Sequence, residues 1–212
     1  MTARPRWRTV FFRPANAATA VSGAAGLGCG ILAASGHPYG AAISLLVAGV
    51  ADLLDGPIAR AFPGNAEQTL FGQRADSLAD ACNFGYAPAL FGYFALDFQS
   101  PGHLAILFWW HVCAIGRLGA FDTFGLDEKE DNRYYRGVPT TLAALSIPIV
   151  YCLRGAVDYL TLQRIFLGFY PVMGFAMVSR LRLKKPKKVG IAVAVLVAAA
   201  AIARLVQGAL AA

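Results

Sequence analysis

Charge is scarce in this chain of 212 residues: Asp, Glu, Lys and Arg together make up 15%, against about 25% in an ordinary soluble domain. The four cysteines (Cys29, Cys82, Cys113, Cys152) show no pairwise spacing that suits a zinc site or a redox motif, and the three histidines are isolated from one another. A Cys/His metal centre and a disulfide framework are therefore excluded as organising principles. Long polar segments are missing too. What fills the space instead is hydrophobic residues, at 57%, gathered into runs such as Val189 to Ala203 that no water-facing helix could carry. Stretches long enough to cross a hydrocarbon layer of about 30 Å lie near 16–34, 40–60, 72–96, 103–124, 138–153, 160–179 and 189–207. The composition predicts an all-α integral membrane protein and excludes a water-soluble enzyme.

The net charge of +7 would fit a nucleic-acid binder if it were spread over a surface, but it is sorted by side. With the N-terminus inside, 16 of the 19 basic residues fall on the cytoplasmic side, and only Arg154, Arg164 and Arg204 fall on the other. The positive-inside rule then places the N-terminus in the cytoplasm of a cell whose inner membrane the chain crosses repeatedly. Anionic headgroups, not nucleic acid, are the expected partners of the basic clusters. Residues 1–13, with Trp7, Phe11 and Phe12 among arginines, read as a basic interfacial segment. The last run, within 186–212, carries almost no polar residue beyond Arg204 and Gln207 and reads as a peripheral helix.

Against that background four carboxylates stand out. Asp52 and Asp55 lie inside the second run, Asp76 and Asp80 inside the third, where each charge costs about 2.5–3.5 kcal/mol on the insertion scale. Spacings of three and four put each pair on one helical face. Two antiparallel helices joined by a short loop, expected over 61–71, bring the pairs together on the order of 6–13 Å below the cytoplasmic surface. Four clustered carboxylates need protons or hard cations between them. Oxygen-only ligands select Mg²⁺, Mn²⁺ or Ca²⁺ over zinc. Gly56 and Gly72, one turn from Asp52 and Asp76, leave room for a bulky ligand, and Arg60 at the mouth suits phosphate oxygens. Intramembrane carboxylates also mark cation-coupled transporters, but those place their sites near the midplane between inverted repeats, which this chain lacks.

The stretch Asp52-Leu-Leu-Asp55-Gly56-Pro-Ile-Ala59-Arg60, followed by Gly72-Gln-Arg-Ala-Asp76-Ser-Leu-Ala-Asp80, resembles the signature of the CDP-alcohol phosphotransferase family. All eight signature residues stand in order; the gap between Arg60 and Gly72 is longer than is usual there. The run from Ser77 to Ala89 resembles that of the phosphatidylserine synthase branch, as do Tyr135-Arg-Gly137-Val-Pro139 and Met177-Val-Ser179-Arg180-Leu-Arg182. A departure occurs at Arg117-Leu-Gly-Ala120-Phe121-Asp122, where that branch carries a second arginine and Asn in place of Asp.

The resemblance implies a six-helix catalytic core over 14–185, a homodimer, and transfer of a phosphatidyl group from CDP-diacylglycerol to an alcohol with release of CMP. It implies two divalent ions, Mg²⁺ or Mn²⁺, held by Asp52, Asp55, Asp76 and Asp80, with Asp80 also the catalytic base. Asp52, Gly56, Ala59, Arg60, Gly72 and Asp76 would contact the CDP-lipid. Arg117, Asp122, Arg133 and Arg136 would meet the acceptor. L-serine is the favoured acceptor, because a zwitterion needs both cationic and anionic partners; choline, glycerol 3-phosphate or an inositol phosphate are the alternatives.

Overall fold

The computed structural model describes residues 13–125, 127–129, 132–184 and 188–211. The segment bearing Trp7, Phe11 and Phe12 lies outside the described residues, as does the side chain of Arg133. Helix α1 (Pro14–Ala34) and helix α2 (Pro38–Ala61) both start with proline in the first turn, where the missing N–H would have no intrahelical partner anyway. Between them the chain reverses in a few residues, with Gly36 at φ +76° and His37 N–H donating to the Leu32 carbonyl at 2.8 Å.

Helix α3 (Ala66–Asp80) begins earlier than the expected loop over 61–71 allows. The Asn65 side chain accepts from the Gln68 N–H at 2.9 Å, and the Gln68 side chain accepts from the Asn65 N–H at 3.1 Å. This reciprocal capping box satisfies two orphan donors and shortens the connection to four residues. The third apolar run is not one α-helix: α3 passes through a π-helical segment, Ala81–Tyr86, into helix α4 (Ala87–Ala95). Pro88 offers no N–H to the Phe84 carbonyl four residues earlier, and the Trp110 indole N–H donates to that oxygen at 3.0 Å.

Helix α5 (Pro101–Phe124) leads into a small antiparallel sheet that the apolar pattern did not foreshadow. Its strands are β1 (Asp127–Lys129), β2 (Asn132–Arg136) and β3 (Arg182–Lys184), in the order β1-β2-β3, with Tyr135 opposite Leu183. Helix α6 (Thr140–Tyr151) occupies the fifth run, at 12 residues too short to cross by itself, since it rises only about 18 Å. Helix α7 (Tyr159–Val178) and helix α8 (Lys188–Leu210) complete the described chain. Among the described residues, five helices are long and apolar enough to span a membrane: Pro14–Ala34, Pro38–Ala61, Pro101–Phe124, Tyr159–Val178 and Ala192–Leu210.

Trp110, Tyr151, Tyr170, Phe84, Phe91, Phe98 and Phe166 are fully buried at the centre of the bundle. Leu27, Phe108, Leu160, Val172 and Leu196 point outward with more than 60% of their surface exposed. Apolar side chains that far out are stable against lipid and not against water. α8 packs along α2 and α6 through Ala198, Ala201 and Leu205.

Candidate active site

Every element that carries a signature residue ends or begins at the same end of the bundle. Asp52 and Asp55 stand in the last turns of α2, Asp76 and Asp80 in the second half of α3. Carboxylate oxygens of Asp52, Asp76 and Asp80 all lie within 4.8 Å of one another. Asp80 lies against Asp52, and Asp55 against Asp76. Asp55 is outside the three-oxygen group, so it joins the cluster through Asp76 and not directly. All four are half-buried, open enough for a ligand and sheltered enough that their mutual repulsion is poorly screened.

Sequence reasoning missed Thr141, in the first turn of α6, whose hydroxyl donates to Asp52 Oδ2 at 2.9 Å. The only signal for it was Pro139 followed by two threonines, a helix start; nothing local says which carboxylate it meets.

Beside the carboxylates a cavity of about 350 Å³ is lined by Asp55, Gly56, Ala59, Gly72 and Asp76, together with Arg13, Asn16, Gln68 and Gln73. The predicted small residues thus share one wall with two of the carboxylates. Arg60 sits at its margin: a Cβ at Gly56 would stand 3.4 Å from the Arg60 guanidinium. The Arg13 guanidinium donates to the Phe62 carbonyl at 2.6 Å, which ties the start of α1 to the turn after α2. An apolar groove of about 640 Å³ between α1 and α3, lined by Ala17, Ala20, Gly23, Phe71, Ala75 and Ala79, opens beside this cavity and shares Arg13, Asn16 and Thr19 with it.

On the other side of α3 a second cavity of about 320 Å³ is lined by Gln73, Arg74, Asp76, Ser77, Phe121 and Asp122. Of the residues expected to meet the acceptor, Asp122 is here. Arg117 is not: it is buried, with its guanidinium 5.1 Å from the Phe121 ring centroid and 5.9 Å from that of Tyr135. Arg136 is exposed on β2. Tyr135 links the two regions. Burial pushes its phenol above the usual tyrosine range, Arg117 pulls it back, and Asp52 adds to the rise.

The sequence stretches Tyr135–Pro139 and Met177–Arg182, far apart in the chain, touch here. Gly137 N–H donates to Leu181 at 2.7 Å and Val138 N–H to Ala176 at 3.0 Å. Gly137 has φ +70°, and a Cβ there would run into the Met177 carbonyl, so both its conformation and its neighbour demand glycine.

The donor set suits a hard divalent cation. It consists of carboxylate oxygens on rigid helices, no His or Cys belongs to the cluster, and a threonine orients one carboxylate from behind.

Comparison with known proteins places the chain among relatives. A family model described as CDP-alcohol phosphatidyltransferase matches residues 12–162. The chain is 31% identical over 154 residues to CDP-diacylglycerol–serine O-phosphatidyltransferase of Saccharomyces cerevisiae, covering 64% of this chain and 54% of the yeast protein. It is 36% identical over 156 residues to the protein of that name in Mycobacterium leprae, covering 69% and 50%. With the Helicobacter pylori protein of that name it shares 32% over 164 residues, covering 75% and 67%. The chain thus spans about half the length of the yeast and mycobacterial relatives it matches.

Proposed function

The chain belongs to the CDP-alcohol phosphatidyltransferase family, and from that premise we propose that it transfers a phosphatidyl group from CDP-diacylglycerol to the hydroxyl of L-serine, giving phosphatidylserine and CMP. The observation that carries the reading is the meeting of Asp52, Asp76 and Asp80 within 4.8 Å beside a cavity walled by Gly56, Ala59 and Gly72. Serine is the acceptor in the names of the yeast, mycobacterial and Helicobacter relatives, and that supports it here.

In this reading the nucleotide occupies the first cavity, where Gly56, Ala59 and Gly72 present no side chain bulky enough to block a flat base and ribose. Arg60 pairs with phosphate oxygens at the margin. The groove between α1 and α3 takes an acyl chain, so the lipid enters sideways while serine arrives from water. Asp122 and Arg74 in the second cavity, with Arg133 and Arg136 on the sheet above, meet the ammonium and carboxylate of serine. Arg117 holds Tyr135 and Phe121 in place from below and acts on the acceptor through them.

Two divalent ions, Mg²⁺ or Mn²⁺, held by Asp52, Asp55, Asp76 and Asp80, would neutralise the diphosphate and the charge on the departing CMP. Asp80 takes the proton from the serine hydroxyl as its oxygen attacks the lipid-side phosphorus. The bond from that phosphorus to the bridging oxygen breaks, and CMP leaves with the electron pair. A serine hydroxyl is a weak nucleophile at neutral pH, so proton removal in the transition state is required. The topology proposed with this has the carboxylate end in the cytoplasm, and the assembly is a homodimer.

The test is CMP release from purified protein given CDP-diacylglycerol, Mn²⁺ and one alcohol at a time. Serine supports release and choline, glycerol 3-phosphate and inositol phosphate do not. Release with another alcohol alone transfers the assignment to that acceptor, and release with none overturns the activity.

A further inference from the structure

The last helix is apolar except at Lys188, Arg204 and Gln207. Arg204 and Gln207 are three residues apart, and one face of a helix presents both. They line a single cavity of about 470 Å³ with Tyr39 at the start of α2, with Arg154, Gly155 and Val157 in the turn between α6 and α7, and with Tyr159 at the start of α7. This cavity lies at the end of the bundle opposite the carboxylates: Tyr39 and Asp52 are on one helix, roughly 20 Å apart along its axis. Nothing in the transferase chemistry uses it.

The cavity is built and not incidental. The Arg154 guanidinium lies 5.3 Å from the ring centroid of Tyr159, 5.7 Å from that of Tyr39 and 5.8 Å from that of Tyr151. Three rings hold one cation in place, and the Tyr39 and Tyr151 rings brace each other edge-on at 5.7 Å. Gly208 lets α8 close on Tyr39, since a Cβ there would overlap the ring. Gly155, at φ +93°, turns the chain so that the Arg204 guanidinium reaches across to it, 3.9 Å from where its Cβ would be.

Two guanidinia and a carboxamide face this space, and no carboxylate lines it among the described residues. The nearby acids have hydrogen-bond partners of their own, and Asp97 lines an adjoining cavity with Arg154 and Tyr159. Asp97 accepts from the Tyr159 hydroxyl at 2.6 Å, and Asp158 accepts from the Thr161 N–H and hydroxyl at 2.9 and 2.7 Å, capping α7. Arg154 is half-buried and Arg204 and Gln207 are exposed on α8, so an anion entering from the side of the bundle can reach both guanidinia. Leu160, Val206 and Leu210 stand exposed on the neighbouring turns of α7 and α8, so a ligand seated here has hydrocarbon against its flank. Forked guanidinium donors match a phosphodiester, and tyrosine rings favour the headgroup level of a bilayer.

We propose that Arg154, Arg204 and Gln207 form a binding site for the phosphodiester headgroup of an anionic phospholipid in the leaflet opposite the carboxylate cluster, with α8 added to the bundle as the wall of that site.

Full-length protein in neutral detergent is titrated with dioleoylphosphatidylglycerol, with dioleoylphosphatidylcholine and with inorganic phosphate. Bound lipid is counted by native mass spectrometry, and the melting midpoint is followed alongside. Phosphatidylglycerol binds and raises the midpoint, while phosphatidylcholine and phosphate at equal concentration do not. R204Q and R154Q each weaken phosphatidylglycerol binding by roughly tenfold, and R164Q, which removes an exposed arginine on the same end of the molecule, does not. Should R154Q fail to fold because its three rings lose their cation, R204Q on the outer helix decides alone. Equal binding of phosphatidylcholine, an equal midpoint rise with inorganic phosphate, or unchanged binding by R204Q would each overturn the proposal.

Discussion

The two ends of this bundle solve opposite electrostatic problems with different means. At one end Asp52, Asp76 and Asp80 stand within 4.8 Å, with the neutral donor Thr141 on Asp52; like charges are brought together in an arrangement that suits a cation. At the other, Arg154 is surrounded by the faces of Tyr39, Tyr151 and Tyr159, and the neighbouring carboxylates are occupied by Tyr159 and Thr161. In the proposed function the first arrangement serves the chemistry, because repulsion released on binding a cation and a diphosphate would become binding energy that turnover can draw on. The proposed lipid site would draw on the second. The contrast is sharp enough to be broken by substitution.

The largest expected effect separates Asp80 from the carboxylates that it touches. Asp80→Asn keeps an oxygen that serves as a weak ligand but cannot accept a proton, so kcat falls by ~10²–10⁴-fold while CDP-lipid binding stays largely in place. Asp76→Asn, in contact with Asp55, within the three-oxygen group and on the walls of both cavities, weakens Mn²⁺ and lipid binding as well as turnover. Titration of both variants with Mn²⁺ and CDP-diacylglycerol beside a CMP-release assay checks this. Near-normal turnover by Asp80→Asn, or a loss of lipid and metal binding equal to that of Asp76→Asn, would remove Asp80 from the role of base.

Much of the carboxylate end was legible before any coordinates, because helical periodicity and membrane depth are both readable along the chain. Asp52 with Asp55 and Asp76 with Asp80 had to share faces. What was not legible came from contacts between distant segments. The π-helical segment after Asp80 depends on Pro88 and on the Trp110 indole reaching the Phe84 carbonyl from α5. The three-stranded sheet consists of strands of three to five residues rich in charge, without the alternation that marks a half-buried strand. Arg117 looked like a ligand for the acceptor because it is cationic beside Asp122; its stacking on Phe121 and Tyr135 is a long-range fact. The early start of α3 is different, since Asn65 and Gln68 spell out a capping box and the helix start was there to be read.

The next effect concerns substrate selection at the carboxylate end alone. Arg133→Ala and Arg136→Ala raise the KM for serine, by about tenfold for loss of a charge-assisted contact, and leave the KM for CDP-diacylglycerol nearly unchanged. If both leave the serine KM as it was and weaken lipid binding, the sheet arginines are membrane anchors and the two ends of the molecule are more alike than proposed.

Stability offers a third comparison, with one glycine from each end. Gly137 and Gly36 both have positive φ, +70° and +76°, but a Cβ at Gly137 meets the Met177 backbone and one at Gly36 meets open space. Gly36→Ala therefore loses only the left-handed preference, about 1–2 kcal/mol. Gly137→Ala loses that and also forces the sheet away from the end of α7, so its melting midpoint falls further and its CMP release falls with it. Equal midpoints for the two variants would show that the sheet yields without disturbing the site.

The smallest effect tests whether a neutral donor matters more beside the clustered acids than beside an isolated one. Thr141→Val removes the hydroxyl from Asp52 Oδ2 and keeps the shape of the side chain. Thr161→Val removes a hydroxyl from Asp158 Oδ1 in the same way, but there the Thr161 N–H still caps the carboxylate and water reaches it freely. At Asp52 the lost bond leaves one carboxylate less firmly oriented toward Asp76 and Asp80. Mn²⁺ affinity and kcat/KM should each drop by roughly three- to tenfold. Thr161→Val should leave both unchanged within error. Measured side by side, an equal and negligible change in the two variants would mean that α6 does not position Asp52, and that the carboxylates hold their arrangement through α2 and α3 alone.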